Sequence, residues 1–305
     1  MNSSENPFFS VIIPTYNRAH ILPETIGYVL NQTFEDWEVV VVDDGSTDET
    51  ERLSSTWKDA RIRYFKTANK ERGHARNYGV KQARGQYVFF LDSDDRLTPN
   101  HLQVAADFLK GNSFPEILHN RMQMLSEGGA VLRNFPTVGD RAESMLLKIN
   151  FMGIAVFLRR DVAIEFPFLE DRSVVFGEEW LIWLRLLARY PIHVNDEITY
   201  QFVQHDARSV NSMDPDKIVH SAQKVESVLR SDQEFMAKYK DKLPHILATY
   251  YLTAANNYLI ANQYISGLGS LNKALSLNPK LIASKSFVAA LKNTLVPINR
   301  SSKNT

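Results

Sequence analysis

The chain has 305 residues, 44% of them hydrophobic and 23% charged, which is ordinary for a protein with a substantial apolar core. Its 35 basic residues balance 35 acidic residues, so the overall charge indicates no nucleic-acid partner. It has no cysteine, which excludes disulfides and thiolate zinc sites and agrees with the cytoplasmic location that we predict. The first seven residues lack signal-peptide features, and no apolar run reaches the ~18 residues that span a bilayer. We therefore expect a soluble protein that at most touches a membrane surface.

The N-terminal third alternates between short β-rich apolar runs and helical patterns. Strands are predicted at 9–13, 37–42, 62–65 and 87–91, and helices at 22–32, 47–57 and 74–83. Ser46 and Glu49 have the spacing of a capping box, which predicts that the second helix begins at about Thr47. Thr98 is predicted to cap a further helix that begins at Pro99. This alternation predicts a parallel sheet with right-handed crossovers.

Polar clusters at 15–18, 43–46 and 92–95 directly follow three of these strands. Ligands of such sheets bind at the carboxyl ends of the strands, so we expect the clusters to share one edge. Asp92 and Asp94 form a carboxylate-rich loop, whose oxygen ligands suit Mg²⁺ or Mn²⁺. A carboxylate in the second cluster could accept a hydrogen bond from a nucleobase, or the cluster could simply start a helix as a turn. Tyr16 could stack on a nucleobase or pack against the protein.

The rest of the chain changes character twice. Between 116 and 202 we predict a hairpin (117–125 with 130–133), a strand (151–158) and a helix (180–189). From 216 to 295 the pattern is almost entirely helical, which predicts a boundary at 214 between a catalytic domain (1–214) and a helical region (215–305).

Within the helical region, residues 245–279 resemble one tetratricopeptide-like hairpin. Such a hairpin could cap the catalytic domain or serve in docking and homo-oligomer formation. Residues 280–305 carry five basic residues and no acidic residue. They could form a basic amphipathic helix in peripheral contact with anionic lipid, or a solvated tail.

Four ordered motifs resemble those of family 2 inverting glycosyltransferases. They are VIIPTYNR at 11–18, VVDDGS at 41–46, ARN at 75–77 and LDSDD at 91–95, and the resemblance covers about residues 8–210. The resemblance implies the GT-A fold, an α/β fold with a Rossmann-like, mixed but mainly parallel sheet flanked by helices, here with a C-terminal helical extension. It also implies metal-dependent transfer of a sugar from a nucleotide-sugar, above all a UDP-sugar, to an acceptor hydroxyl in cell-surface polysaccharide or glycan assembly.

The same resemblance implies roles for individual residues. The nucleotide would be bound by Pro14, Thr15, Tyr16, Asp44, Arg76, Asp92 and Ser93, and the Mn²⁺ or Mg²⁺ ion by Asp94 and His205. Glu179 matches the second member of the family's acidic pair, which is the catalytic base and is more commonly aspartate. The segment from Gln204 to Ser209, which contains His205 and Arg208, resembles one that closes over the diphosphate. The secondary candidates are Asp43, Asn17, Asn77, Asp95, Glu178, Trp180 and Arg208.

The expected partners are a nucleotide-sugar donor and a saccharide or lipid-linked saccharide acceptor. Thymidine and guanosine diphosphate donors remain open. A nucleotidyltransferase is one alternative, but it would favour a glycine-rich loop after the first strand, and this chain has the glycine-free sequence PTYNR there. A non-catalytic binding or scaffold protein on the same fold is the other alternative. Acidic residues at every expected position argue against a loss of catalysis.

Overall fold

The computed structural model describes residues 6–205, 213–284, 287, 288 and 290. The chain divides into two compact units. The first comprises Met1–Met145, Phe151–Arg172 and Arg189–Asp206, and the second comprises Leu146–Asn150, Ser173–Ala188 and Ala207–Thr305. The predicted domain boundary at residue 214 stays a prediction. Among the described residues, no helix combines the length and the apolar character that crossing a bilayer requires.

A mixed sheet, nine-stranded over the described residues, lies at the centre of the first unit. Its strands are β1 (Phe9–Thr15), β2 (Trp37–Asp43), β3 (Ile62–Lys66), β4 (Tyr87–Phe90), β5 (Arg96–Leu97), β6 (Ile117–Ser126), β7 (Val131–Asn134), β8 (Val156–Arg159) and β9 (His193–Gln204). The order is β3-β2-β1-β4-β8-β6-β9-β5, and β7 pairs with β6. The first four strands of this order are parallel, as predicted. β8 runs antiparallel to both β4 and β6, which makes the sheet mixed.

Helices connect these strands. They are α1 (Leu22–Leu30), α2 (Thr50–Ser54), α3 (Arg72–Gln82), α4 (His101–Gly111), α5 (Ala142–Leu146) and α6 (Arg160–Glu165). All seven residues of β2 are buried, as its sequence, apolar from Trp37 to Val42 except for Glu38, predicts for a strand covered on both faces. Helix α3 packs closely on β1, because a Cβ atom at Gly79 would lie 2.4 Å from Cγ2 of Ile12. This close packing carries Arg76, on the same helix, into the protein interior.

Two helices of the first unit begin later than the sequence predicts, whereas α3 begins two residues earlier than predicted. Helix α2 begins at Thr50 rather than near Thr47. The Ser46 hydroxyl does not cap it, because this oxygen accepts a hydrogen bond from the backbone N–H of Asn17 (2.8 Å). Helix α4 begins at His101, two residues after the predicted start. The hydroxyl of Thr98, which was predicted to cap α4, donates instead to Oδ1 of Asn100 (2.7 Å).

The second unit is helical over its described residues. Its helices are α7 (Glu178–Leu187), α8 (Pro215–Ser231), α9 (Gln233–Tyr239), α10 (Leu243–Ile260) and α11 (Tyr264–Leu277). The last two form the predicted hairpin. Buried side chains of α10 (Leu252, Ala255, Leu259) pack with Leu271 and Ala274 of α11. The helical C-terminal region predicted from the sequence is therefore confirmed.

Candidate active site

The predicted polar clusters lie at the carboxyl ends of adjacent parallel strands. Asp44 follows β2 and donates its backbone N–H to the carbonyl oxygen of Thr15, the last residue of β1 (2.9 Å). On the other side of β1, Leu91 donates its backbone N–H to the carbonyl oxygen of Ile12 (3.0 Å). The acidic loop Asp92–Asp95 begins directly after this contact. All three clusters therefore occupy one edge of the sheet, as the strand alternation predicts.

Three carboxylates gather in the loop after β4. Oxygen atoms of Asp92, Asp94 and Asp95 lie within 4.8 Å of one another. Nε2 of His205, directly after β9, lies 3.0 Å from Oδ2 of Asp94. The guanidinium of Arg76 is buried and donates a hydrogen bond to Oδ1 of Asp92 (2.9 Å). The loop thus combines concentrated negative charge with one internal cation and one imidazole.

Asp95 connects this loop to β9. One of its carboxylate oxygens accepts a hydrogen bond from the Tyr200 hydroxyl (2.6 Å), and the other accepts from the backbone N–H of Val203 (3.0 Å). These bonds fix the end of β9, which places His205 beside Asp94. The sequence contains no local signal for this role, because Tyr200 is 105 residues from Asp95.

The loop after β1 keeps an aromatic ring at the surface. Pro14 is half-buried, Thr15 is buried, and Tyr16 is 46% exposed. Asn17 has a positive φ of 53°, a conformation that asparagine tolerates better than most residues. Its side-chain oxygen accepts the backbone N–H of Thr47 (2.8 Å), which ties this loop to the loop after β2. The ring of Tyr16 is therefore presented from a loop that is held at both sides.

Asp43 and Asp44 both accept hydrogen bonds from backbone N–H groups. Oδ1 of Asp43 accepts from Ser46 (2.7 Å), and its other oxygen accepts from a tyrosine hydroxyl of β3. The two oxygens of Asp44 accept separately from Lys70 and Glu71, each at 2.8 Å. Asp43 therefore forms a turn, which is one of the two roles that the sequence predicts for this cluster. Asp44 joins the loop after β2 to the segment that leads into α3.

Ser93 and Asn77 are tied to neighbouring backbone. The carbonyl oxygen of Ser93 accepts the Thr25 hydroxyl of α1 (2.6 Å). The Asn77 side chain accepts from the backbone N–H of Phe168 (2.8 Å) and donates to its carbonyl oxygen (2.9 Å) and to Glu170 (2.8 Å). This hydrogen bond from Asn77 is the main reason that the pKa of Glu170 lies below its usual value. Asn77 therefore fastens residues 168–170 onto α3.

In the second unit, the predicted acidic pair lies in the first turn of α7. Glu178 is buried and Glu179 is half-buried. The helix starts after Gly177, whose φ of +76° favours glycine. The hydroxyl of Tyr250, on α10, donates to the carbonyl oxygen of Gly177 (3.2 Å). Burial, and then the negative charge of Glu179, raise the pKa of Tyr250 far above its usual value.

Trp180 is a packing residue of the same helix start. Its ring is 1% exposed and stacks on the ring of Tyr250, with centroids 5.5 Å apart and planes 9° apart. Its Nε1–H donates to the carbonyl oxygen of Leu146 (2.7 Å). The remaining candidate, Arg208, lies outside the described residues.

The family model for glycosyl transferase family 2 matches residues 10–127, which contain every strand-end cluster described above. A glycosyltransferase of Rickettsia prowazekii, RP339, is 40% identical over 215 residues, covering 68% of this chain and 67% of the relative. The chain belongs to glycosyl transferase family 2. The chain spans only 26% to 31% of the length of three other rickettsial glycosyltransferases that it matches.

Two further relatives of this family member cover most of its length. A Campylobacter jejuni protein, named GalNAc(5)-diNAcBac-PP-undecaprenol beta-1,3-glucosyltransferase, is 27% identical over 282 residues, 89% of each chain. The crystal structure of S. aureus TarS (1–349) in complex with UDP-GlcNAc is 21% identical, with a TM-score of 0.69. It covers 94% of this chain and 89% of that one. The predicted GT-A fold is confirmed.

Proposed function

We propose that this chain transfers the sugar of a UDP-sugar to a hydroxyl of a lipid-linked saccharide, with inversion at the anomeric carbon, in the assembly of a cell-surface polysaccharide. The observation that carries the proposal is the cluster of Asp92, Asp94 and Asp95 within 4.8 Å at the carboxyl end of β4. Family membership supports sugar transfer. The name of the Campylobacter relative supports a lipid-linked acceptor, and the TarS complex supports a UDP-sugar donor.

The acidic cluster fits a divalent cation. Two oxygens on opposite sides of a Mg²⁺ or Mn²⁺ ion lie about 4.2 Å apart, close to the spread of the three carboxylates. We assign Asp94 and His205 as the principal ligands. Nε2 of His205 lies 3.0 Å from Oδ2 of Asp94, and a metal ion could replace the hydrogen bond between these two atoms. When bound, such an ion would neutralise the charge that develops on the leaving diphosphate. The same charge would also be met by Arg76, which is already in place beside Asp92.

The nucleoside is assigned to the loops after β1 and β2. Tyr16 offers an exposed ring for stacking on a base. Asp44 is held by two backbone N–H groups in an orientation set by the fold, and each of its oxygens has capacity for a second hydrogen bond. Pro14 and Thr15 would line the same slot, and Asp92 and Ser93 would meet the ribose. These assignments predict that UDP binds the first unit.

Glu179 is assigned as the general base that takes the proton of the acceptor hydroxyl. A single base without an enzyme nucleophile gives direct displacement, and therefore inversion of the anomeric configuration. In the first turn of α7 this acidic residue would also stabilise the start of the helix, because the helix dipole is positive there. The family more commonly has aspartate at this position. Glutamate would place the carboxylate one methylene further from the backbone.

The test compares Glu179→Gln with Glu234→Gln, which changes an exposed glutamate in the first turn of α9. Release of the nucleoside diphosphate from UDP-GlcNAc, UDP-glucose, and thymidine- and guanosine-diphosphate sugars is measured with Mn²⁺, with and without undecaprenyl diphosphate-linked acceptors. We expect Glu179→Gln to lower turnover ~10²–10⁴-fold while the affinity for UDP stays unchanged, and Glu234→Gln to behave as the parent. Normal turnover in Glu179→Gln would remove the base assignment. If the parent protein released no nucleoside diphosphate from any of these donors, the proposed reaction would be wrong.

A further inference from the structure

The acidic and basic residues of this chain are distributed very unevenly. All 35 acidic residues lie at or before Asp241, whereas seven of the 35 basic residues follow it. Residues 242–305 therefore carry seven positive charges and no negative charge, and residues 1–241 carry a net charge of −7. The overall neutrality of the chain hides this separation. A segment with this charge attracts polyanions and repels a second copy of itself.

The same part of the chain exposes large apolar side chains. On α11, Ile265 is 91% exposed and Leu268 is 52% exposed, and their spacing of three residues places them on one helix face. The opposite face of α11 packs on α10 through Leu271 and Ala274. Further along, Ile282 is 63% exposed. An exposed apolar helix face beside basic charge is the combination found in segments that lie at a membrane interface.

Two basic side chains of the described residues accompany this face. Lys273 lies on α11 about 80° around the helix from Ile265, at the border of the exposed apolar face, and Lys280 follows the end of that helix. Both are exposed. Long lysine side chains can reach lipid phosphates while neighbouring apolar residues enter the acyl boundary. Charge and apolar exposure thus coincide on the last described elements.

We propose that α11 and residues 278–284 form a binding surface for an anionic lipid bilayer, with Ile265 and Leu268 inserting and Lys273 and Lys280 contacting phosphate groups. Apolar insertion distinguishes a bilayer from a nucleic acid, which would use the charge alone. Like charge on both partners disfavours a second copy of the chain as the occupant. The surface would bring the enzyme to a lipid-carried acceptor, and this last link rests on the proposed function.

The test measures co-sedimentation of the full chain with vesicles of phosphatidylcholine alone and with 30% phosphatidylglycerol. One variant combines Ile265→Ser with Leu268→Ser, and a second combines Lys273→Gln with Lys280→Gln. The matched control combines Ile164→Ser with Lys58→Gln, since both residues are exposed but lie in the first unit. Thermal unfolding of each variant checks that it is folded.

We expect the parent and the control to pellet with the anionic vesicles but not with the neutral ones, and added salt to weaken this binding. The lysine variant should bind the anionic vesicles about 25-fold more weakly, because each lysine contributes a factor of about five to the affinity. The apolar variant should bind at least ~10-fold more weakly. Equal binding by parent and variants would overturn the proposal. So would dimerisation through Ile265 without vesicle binding, or preferential binding of duplex DNA. UDP release in the absence of vesicles tests the proposed function separately.

Discussion

Asp94→Asn keeps the shape of the side chain and removes one of three negative charges that lie within 4.8 Å of one another. Two unit charges 4.8 Å apart interact with about 3.5 kcal/mol at an effective dielectric constant of ~20. Arg76 offsets the charge of Asp92, so that Asp95 supplies most of the repulsion on Asp94. Solvent screening in a half-buried loop reduces this value, and so does the weaker hydrogen bond that an amide would make with His205. We therefore expect the metal-free variant to be more stable than the parent by ~1–2 kcal/mol in the free energy of unfolding.

The same substitution should remove stabilisation by ligands. A ligand at 100 times its Kd raises the free energy of unfolding by about 2.7 kcal/mol, which the parent should show with Mn²⁺ and UDP. Urea denaturation at pH 8 with EDTA, with Mn²⁺, and with Mn²⁺ and UDP measures both effects. Asp140→Asn, at an exposed position, is the control. An Asp94→Asn protein that is less stable in EDTA and still stabilised by Mn²⁺ with UDP would refute both the repulsion and the metal assignment.

Two further predictions concern stability. Burial lowers the pKa of His101 to about 3 and that of His119 to about 4. Because unfolded histidine titrates at about 6.5, the unfolded chain binds more protons below that pH. The free energy of unfolding should then fall by ~1.4 kcal/mol per pH unit for each histidine between about pH 6 and 4, and a flat urea midpoint from pH 7.5 to 5 would contradict this. Gly177→Ala should destabilise by ~2–5 kcal/mol, since its φ is positive and its Cβ would lie 2.1 Å from the Tyr250 hydroxyl oxygen. Gly269→Ala, which meets nothing within 4 Å, should match or exceed the parent in the same urea titration.

The parallel half of the sheet was predictable because its signals are local. The unbroken run of valines in β2 and the turn residues that follow it determine a buried strand and its end without reference to the rest of the chain. Helix starts were less predictable. Ser46 has the spacing of a capping residue, yet its hydroxyl bonds to Asn17, which lies 29 residues earlier in the chain. Local spacing does not distinguish between these two partners.

In the candidate site, too, the features with local sequence signals were predictable and the long-range contacts were not. The loop Asp92–Asp95 was found from its position after an apolar strand, and its carboxylates do gather. The bonds that hold it were not found, because Tyr200 and Val203 reach Asp95 across more than 100 residues. Asn77 was predicted as a secondary site residue from its motif, whereas its hydrogen bonds hold the backbone of Phe168. A motif marks residues that are needed together, and it does not separate those that touch a ligand from those that hold the fold.

The pairing of β5 with β9 has a consequence for synthesis on the ribosome. β5 directly follows the acidic loop, and Arg96 and Leu97 pair with Gln201 and Tyr200. The parallel strands β1 to β4 can associate while the chain is still emerging, but the acidic loop reaches its final geometry only after residue 204 has been released. A nascent chain stopped before residue 193 would therefore lack β9, leave β5 unpaired and hold an open acidic loop. A fragment cut to residues 10–127, the span of the family model, would lack β9, whose Tyr200 and Val203 hold Asp95 in place.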